Sequence, residues 1–189
     1  EIAETEIGRL VYGFGFAAKE HLALAEKLVC EPPKERFDRF ILERKVAIRP
    51  RHVTELRRLI TRLRRLDHQA DAAYAAWVTA SPRRQIALAR TLARTEAAII
   101  RLLPQFAYKQ RVTEGMTGVA ANVRDKLLEA RSLAHAHRGG MGGATARENV
   151  RALSALVRME PDAFLAAHDQ LVAALRAAAQ AKGEMVEAN

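Results

Sequence analysis

Few side chains in this sequence have the types and spacing that chemistry requires. His135 and His137 lie two residues apart in the segment HAHRGG. Two such positions on an α-helix point to nearly opposite faces, so both could not easily bind one ion. The sequence has no HExxH motif and no Glu-x-x-His pair of the di-iron type. We therefore predict no metal site, and we place both histidines at a solvated helix end, where the helix dipole favours a basic group.

The candidate nucleophiles also lack the partners that covalent catalysis needs. The hydroxyls of Ser81, Ser132 and Ser154 fall in helix starts or helix middles, with no glycine elbow around them. The segment RGGMGG (138–143) lacks the lysine and the following Ser or Thr of a phosphate-binding loop. The single cysteine, Cys30, cannot form an internal disulfide, and we predict a buried structural thiol. We expect no enzyme, no cofactor and no small-molecule substrate.

Positive charge is concentrated in the middle of the chain. The 189 residues carry a net charge of +9. Between Arg49 and Arg111 there are 14 Lys and Arg against 4 Asp and Glu, and the remaining residues have a net charge of −1. Such a block attracts nucleic acid or an acidic protein surface, and it is equally compatible with the solvated face of two long helices. Tyr74 and Trp77 fall on an apolar stripe, where we favour core packing over base stacking.

The elements that would position these residues are helices. Alanine, leucine and arginine dominate while glycine and proline are sparse, so we predict an all-α fold, an antiparallel bundle of about six to seven helices, several of them long. Apolar periodicity and helix breakers place the helices at about 2–31, 34–42, 50–80, 82–103, 105–137, 144–158 and 161 onward. The segment ERKVAIRP is expected to be a loop, RGGMGG a flexible connector, and Ser81 and Pro82 the start of a helix.

Nothing in the sequence indicates a membrane protein. There is no signal peptide and no apolar stretch of about 18 residues, so we predict no membrane partner and a cytoplasmic location. Apolar residues still recur at helical spacing up to Met185 and Val186. This pattern alone leaves open whether the chain is a whole protein or a piece of a longer one.

Two segments resemble a known family. The segment AKGEMVEAN (181–189) resembles the AKKEMVEAN that opens region 2.1 of bacterial primary sigma factors of the sigma-70 family. The segment ETEIGRLVYGFGFA (4–17) resembles the second half of region 1.2, usually EGEIELAKRIEEG, although GRLVY replaces AKRIE. The resemblance implies that 1–31 is the end of region 1.2, 32–160 the non-conserved helical region and 161–189 the helix leading into region 2.1, together in one compact structural unit.

The resemblance implies a function in transcription initiation. A fragment of this kind would bind core RNA polymerase and assist recognition of the promoter −10 element and discriminator, with promoter DNA a partner of the full-length protein. In the family, the residues that match Glu6 and Asn189 help line a pocket for a flipped-out base. We expect residues 1–16 and 161–189 to pack side by side and to bring Glu6 and Asn189 together.

The resemblance also gives the basic middle of the chain a partner. The variable region of these sigma factors is a helical body that can contact the largest polymerase subunit. The candidate contacts to polymerase or phosphate are Arg57, Arg58, Arg62, Arg64, Arg65, Arg83 and Arg84. We favour protein contact and solvated surface over DNA readout, because no aromatic or amide groups interleave with the arginines. The alternative hypothesis is a free-standing basic helical protein that binds nucleic acid or serves as an adaptor.

Overall fold

A computed structural model describes the backbone of residues 2–137 and 141–187, and this part of the chain is all-α. Its α-helices are α1 (Ile2–Tyr12), α2 (Phe16–Val29), α3 (Phe37–Phe40), α4 (Glu43–Val46), α5 (Arg49–Thr79), α6 (Pro82–Leu102), α7 (Gln110–Ala136), α8 (Met141–Val157) and α9 (Pro161–Glu187). A 3-10 helix covers Leu103–Phe106, and Ile41 and Tyr108 form an isolated antiparallel bridge. The predicted all-α class with several long helices is confirmed.

The chain divides into two compact units. Unit 1 consists of Glu1–Phe14 and Thr117–Asn189, and unit 2 is the continuous stretch Gly15–Met116. This division departs from the single compact unit that we expected, and it falls at Gly15 and inside α7 rather than at residues 31 and 160. Unit 2 contains 21 Lys and Arg against 11 Asp and Glu, a net charge of +10, whereas unit 1 has a net charge of −1. The charge excess is therefore a property of unit 2.

Unit 2 is built on a hairpin of two long helices. Only Ala80 and Ser81 separate α5 from α6, so the two helices run antiparallel. The side chains of Leu56, Leu63 and Leu102 are buried in the core of this unit. On α5 the buried residues recur at three- and four-residue steps, which is the spacing that places them on one face of a helix. The predicted helices at 50–80 and 82–103 are confirmed to within a residue or two.

In unit 1 the first and last helices of the chain pack together. Phe14, just after α1, meets Phe164, near the start of α9, edge to face with ring centroids 5.3 Å apart. Since α1 also packs along α9, the two helices run antiparallel. Val11 and Leu171 are buried in the same unit. The predicted start of the last helix at Pro161 is confirmed.

The helix predicted over residues 2–31 is wrong in one respect, because it is two helices. Helix α1 ends at Tyr12 and α2 begins at Phe16. Between them, the backbone N–H of Gly13 donates to the carbonyl of Leu10, and that of Phe14 donates to Val11, both at 3.1 Å. A Cβ on Gly13 would lie 3.2 Å from the Leu10 oxygen, so the turn suits a glycine. The glycines that weaken the predicted helix mark its interruption.

The segments that precede α5 and α7 also differ from the prediction. The helix predicted at 34–42 covers only Phe37–Phe40, and the expected loop ERKVAIRP contains α4. The helix predicted from residue 105 begins at Gln110, since Ala107 is in the left-handed region with φ of 56°. The Leu42 N–H donates to the Ala107 carbonyl at 2.9 Å, and the Lys109 N–H donates to the Phe40 carbonyl at 2.7 Å. These long-range bonds replace the helix that the periodicity favours.

The glycine-rich connector is shorter than predicted. Residues 138–140 lie outside the described residues, and α8 begins at Met141, so Gly142 and Gly143 are helical rather than part of a loop. Ser81 immediately precedes α6 as predicted, but its side chain forms no capping hydrogen bond. The start of α6 thus depends on its proline, whose fixed φ suits the first turn of a helix.

Candidate interaction surface

Two of the predicted arginines are engaged inside unit 2. Arg57 forms an ion pair with Glu31 at 3.0 Å, and Arg64 forms one with Glu26 at 2.6 Å. Both carboxylates lie in or just after α2, so these pairs run along the α2–α5 contact. Exposed pairs of this kind add about 0–1 kcal/mol each. These two side chains help hold α2 against α5, and their charge is partly neutralised.

The other predicted arginines of α5 point into solvent. Arg58, Arg62 and Arg65 are exposed, and their spacing of four and three residues places them on one side of the helix. None of them forms an ion pair within the described part of the chain. Their side lies away from the face of α5 that buries Leu56 and Leu63. They present uncompensated charge to solvent.

Helix α6 carries a longer arginine stripe. Arg83, Arg90, Arg94 and Arg101 are all exposed, and they are separated by seven, four and seven residues. At about 100° per residue these steps keep all four side chains within about 40° of one another. They lie opposite the buried Leu92 and Ile99. We call these four residues the α6 arginine face.

The predicted contact residues of α6 only partly match this face. Arg83 belongs to it, whereas Arg84 is exposed but lies about 100° around the helix. Sequence reasoning missed Arg90, Arg94 and Arg101 as members of one surface. Their seven- and four-residue spacing was available in the sequence and is the signal that would have found them. Among the described residues, none of the four forms an ion pair.

A buried polar cluster supports unit 2 from inside, and sequence reasoning missed it. His21 is 1% exposed, and its Nδ1 donates to the Ala17 carbonyl at 2.8 Å. The Tyr108 hydroxyl donates to the His21 carbonyl at 2.9 Å. Burial lowers the pKa of His21 from 6.5 to about 4, and burial also raises the pKa of Tyr108. Both side chains are neutral near pH 7, which suits an internal structural role.

A second buried histidine joins α5 to the 3-10 helix. His52 is fully buried, with Nδ1 3.0 Å from the Glu55 carboxylate and Nε2 3.1 Å from the Phe106 carbonyl. Lys45 of α4 donates to the same Glu55 oxygen at 2.9 Å. This network fixes the start of α5 relative to the segment that follows α6. It is positioned to hold the hairpin.

The structure places Glu6 but leaves its predicted partner untested. Glu6 is exposed on α1, and Asn189 lies outside the described residues. The predicted packing of the first segment against the last helix is present, since α1 contacts α9. Glu6 lies about 10 Å along α1 from Tyr12, whereas Glu187 lies about 35 Å along α9 from Phe164. Glu6 is therefore beside the middle of α9, and its meeting with Asn189 stays a prediction.

The residues considered for catalysis or metal binding have ordinary surroundings. His135 and His137 are exposed near the end of α7, and within residues 2–137 and 141–187 no three His, Cys, Asp or Glu side chains form a possible metal site. Cys30 is half-buried rather than buried, and its Sγ lies 3.3 Å from the carbonyls of Lys27 and Pro32. Tyr74 is buried as predicted and stacks on the half-exposed Trp77 with centroids 5.9 Å apart.

The fold and the surface together define an all-α protein with a strongly basic helical hairpin. In the described part of the chain, no helix is both long enough and apolar enough to cross a membrane. The chain matches no protein-family model, no curated protein and no solved structure.

Proposed function

We propose that this chain is part of a primary sigma factor of the sigma-70 family, in which unit 2 is a helical body that contacts core RNA polymerase. The observation that carries the proposal is the packing of α1 against α9. These helices contain most of the two segments that resemble regions 1.2 and 2.1. Unit 2 is one continuous stretch, Gly15–Met116, and all but its first three residues lie between the two segments in sequence, as an insertion between two conserved regions would.

The basic surface of unit 2 supports a contact role within this proposal. Its uncompensated arginines lie on the outer sides of α5 and α6, where a large partner can reach them. The largest polymerase subunit is the proposed partner, and the role in transcription initiation follows from that contact. A contribution of Glu6 and Asn189 to a pocket for a flipped base is the second part of the proposal, and it rests on the resemblance alone.

Binding to purified bacterial core RNA polymerase tests the proposal. The fluorescently labelled chain is titrated with core polymerase at low salt, and fluorescence anisotropy is recorded. We expect saturable binding that an intact primary sigma factor reduces by competition. A variant with Arg58, Arg62 and Arg65 changed to glutamine is expected to bind more weakly, because those charges are uncompensated. Absence of binding at micromolar concentrations of polymerase would contradict the proposal.

The net charge of +10 on unit 2 favours a second candidate, a free-standing helical protein that binds nucleic acid. If seven exposed arginines of these two helices neutralise phosphates, affinity for duplex DNA should fall steeply with salt, with a slope of about −6 in a plot of log K against log salt. The seven are those on the solvent side of α5 and on the α6 arginine face: Arg58, Arg62, Arg65, Arg83, Arg90, Arg94 and Arg101. A 30-base-pair duplex of arbitrary sequence is a suitable probe. Tight binding with that slope, combined with no binding to core polymerase, would favour this candidate.

A further inference from the structure

We propose that the α6 arginine face is a docking surface for an acidic α-helical segment of a partner protein. The inference rests on the proposed role of unit 2 as a surface that contacts another protein. It makes that role more specific. The surface consists of Arg83, Arg90, Arg94 and Arg101. The partner presents carboxylates at helical spacing.

The geometry of the face suits an α-helix of the partner that lies along α6. The four arginines span 19 residues of one α-helix, and the first and last lie about 27 Å apart along its axis. Their spacing of seven, four and seven residues is the same in both directions along the helix. A helix with carboxylates at the same spacing can therefore match it in either orientation, and each guanidinium can donate two parallel hydrogen bonds to one carboxylate.

The residues between the arginines favour a protein over a nucleic acid. Ala87 and Ala97 lie on the same side of α6, and their small side chains let another helix approach closely. Ile86, three residues from Arg83 and four from Arg90, adjoins the face and is 61% exposed. An exposed isoleucine provides apolar area for a protein contact and has no counterpart in a phosphate backbone. The amide side chain between Arg83 and Arg90, Gln85, lies on the opposite side of α6 and donates to the Trp77 carbonyl at 3.2 Å. The face itself therefore presents no aromatic or amide side chain to a base.

The charge of the face is uncompensated, in contrast to part of α5. Arg57 and Arg64 are paired with the carboxylates of Glu31 and Glu26. The α6 arginine face has no acidic residue at any position along its stripe. An incoming carboxylate therefore need not displace an internal one, so the gain on binding is not offset by a broken ion pair.

Two designed peptides test the inference. Both are 21-residue alanine-based helices with four glutamates. In the aligned peptide the glutamates are spaced by seven, four and seven residues, and in the matched control the same four glutamates are distributed around the helix. Binding of each labelled peptide to the whole chain is measured by fluorescence anisotropy at 20 mM and 150 mM salt. We expect the aligned peptide to bind more tightly than the control, and its affinity to decrease with salt.

Matched variants locate the contact. Changing Arg83, Arg90, Arg94 and Arg101 to glutamine should weaken binding of the aligned peptide by about tenfold to thirtyfold, since four exposed charge pairs are lost. Changing Arg58, Arg62 and Arg65 to glutamine, or Arg84→Gln alone, should alter it by less than about threefold. Circular dichroism verifies folding, and if the quadruple variant is unfolded, the Arg83/Arg101 and Arg90/Arg94 double variants replace it.

Three results would overturn the inference: equal binding of both peptides, binding that the α6 variants leave unchanged, or no saturable binding at 20 mM salt. Tighter binding of a duplex DNA probe through the same four arginines would also overturn it, in favour of nucleic acid. The polymerase titration fails or succeeds independently of these results. A chain that binds polymerase but not the aligned peptide retains its proposed function and loses this docking surface.

Discussion

Burial of His21 should make unit 2 sensitive to acid. The ring is 1% exposed, donates from Nδ1 to the Ala17 carbonyl and lies edge-on to Phe106 with centroids 5.6 Å apart. Burial penalises the charged imidazolium and lowers the pKa of His21 from 6.5 to about 4. The unfolded chain therefore binds more protons than the folded chain between these two values. Acidification across that range favours unfolding.

The magnitude follows from the two pKa values. The contribution of His21 is fully present above pH 6.5 and is lost as the pH falls from 6.5 to about 4. Between pH 7 and pH 5 the free energy of unfolding should fall by about 2 kcal/mol through this residue. Below pH 4 the total loss should reach about 3 kcal/mol. Such a loss is a large fraction of the stability of an ordinary domain.

Trp77 makes the assay specific. It is the single tryptophan of the chain and lies on α5, so its fluorescence reports on unit 2. Urea unfolding is measured at pH 7 and pH 5 for the natural chain, for His21→Gln and for His68→Gln. Glutamine at position 21 can still donate to a carbonyl but does not titrate. His68 is exposed on α5, and its substitution controls for the loss of a histidine.

The comparison isolates the titration from other effects of the substitution. His21→Gln should lower stability at both pH values, because its contacts with aromatic rings are lost. Its loss between pH 7 and pH 5 should nevertheless be about 2 kcal/mol smaller than that of the natural chain. The carboxylates and the four remaining histidines are present in all three proteins, so their contributions cancel in the comparison. If the natural chain and His21→Gln lose the same stability over this range, the burial argument is wrong.

Four further substitutions test three parts of the structure. Lys19 donates to Asp67 at 2.9 Å and to Asp71 at 2.7 Å, so Lys19→Met should lower the free energy of unfolding by about 1 kcal/mol in urea titrations. The pair of Arg64 with Glu26 is more exposed, so Arg64→Met should lower it by less than about 0.5 kcal/mol. Ala107 has a φ of 56°, so Ala107→Gly should raise stability by about 1 kcal/mol, and a decrease would show that the left-handed backbone is not strained. Phe164 is fully buried against Phe14, so Phe164→Ala should destabilise unit 1 by about 3–5 kcal/mol. The loss should appear as a lower melting temperature in helical circular dichroism. An unchanged melting curve would contradict the packing of α1 on α9.

The long helices could be predicted because their signals are local. Helices α5, α6 and α9 combine apolar residues at helical spacing with a proline in the first turn. Interruptions set by distant contacts could not be predicted in the same way. The delayed start of α7 depends on hydrogen bonds from Leu42 and Lys109, more than sixty residues apart in sequence. No local pattern around Ala107 indicates a left-handed residue.

The candidate surface was predictable in part. Exposure of the arginines follows from their positions opposite the apolar stripes, and the α6 arginine face follows from spacing alone. The pairing of Arg57 and Arg64 required knowledge that α2 lies antiparallel to α5, because their partners are 26 and 38 residues away. The burial of His21 and His52 was missed for the same reason. Their polar atoms are satisfied by backbone groups that only the tertiary fold brings near.

The composition of unit 1 from two separated stretches has a consequence for biosynthesis. All of unit 2 lies in one continuous segment, whereas unit 1 needs Glu1–Phe14 and Thr117–Asn189 together. During synthesis all of unit 2 therefore leaves the ribosome before α9 does, so unit 2 can fold before α1 contacts α9. During that interval α1 lacks its contact with α9, and joining the two helices across an unfolded intervening chain would cost about 4 kcal/mol in loop closure. Early folding of unit 2 shortens that loop, so a substitution that slows unit 2 should also delay assembly of unit 1.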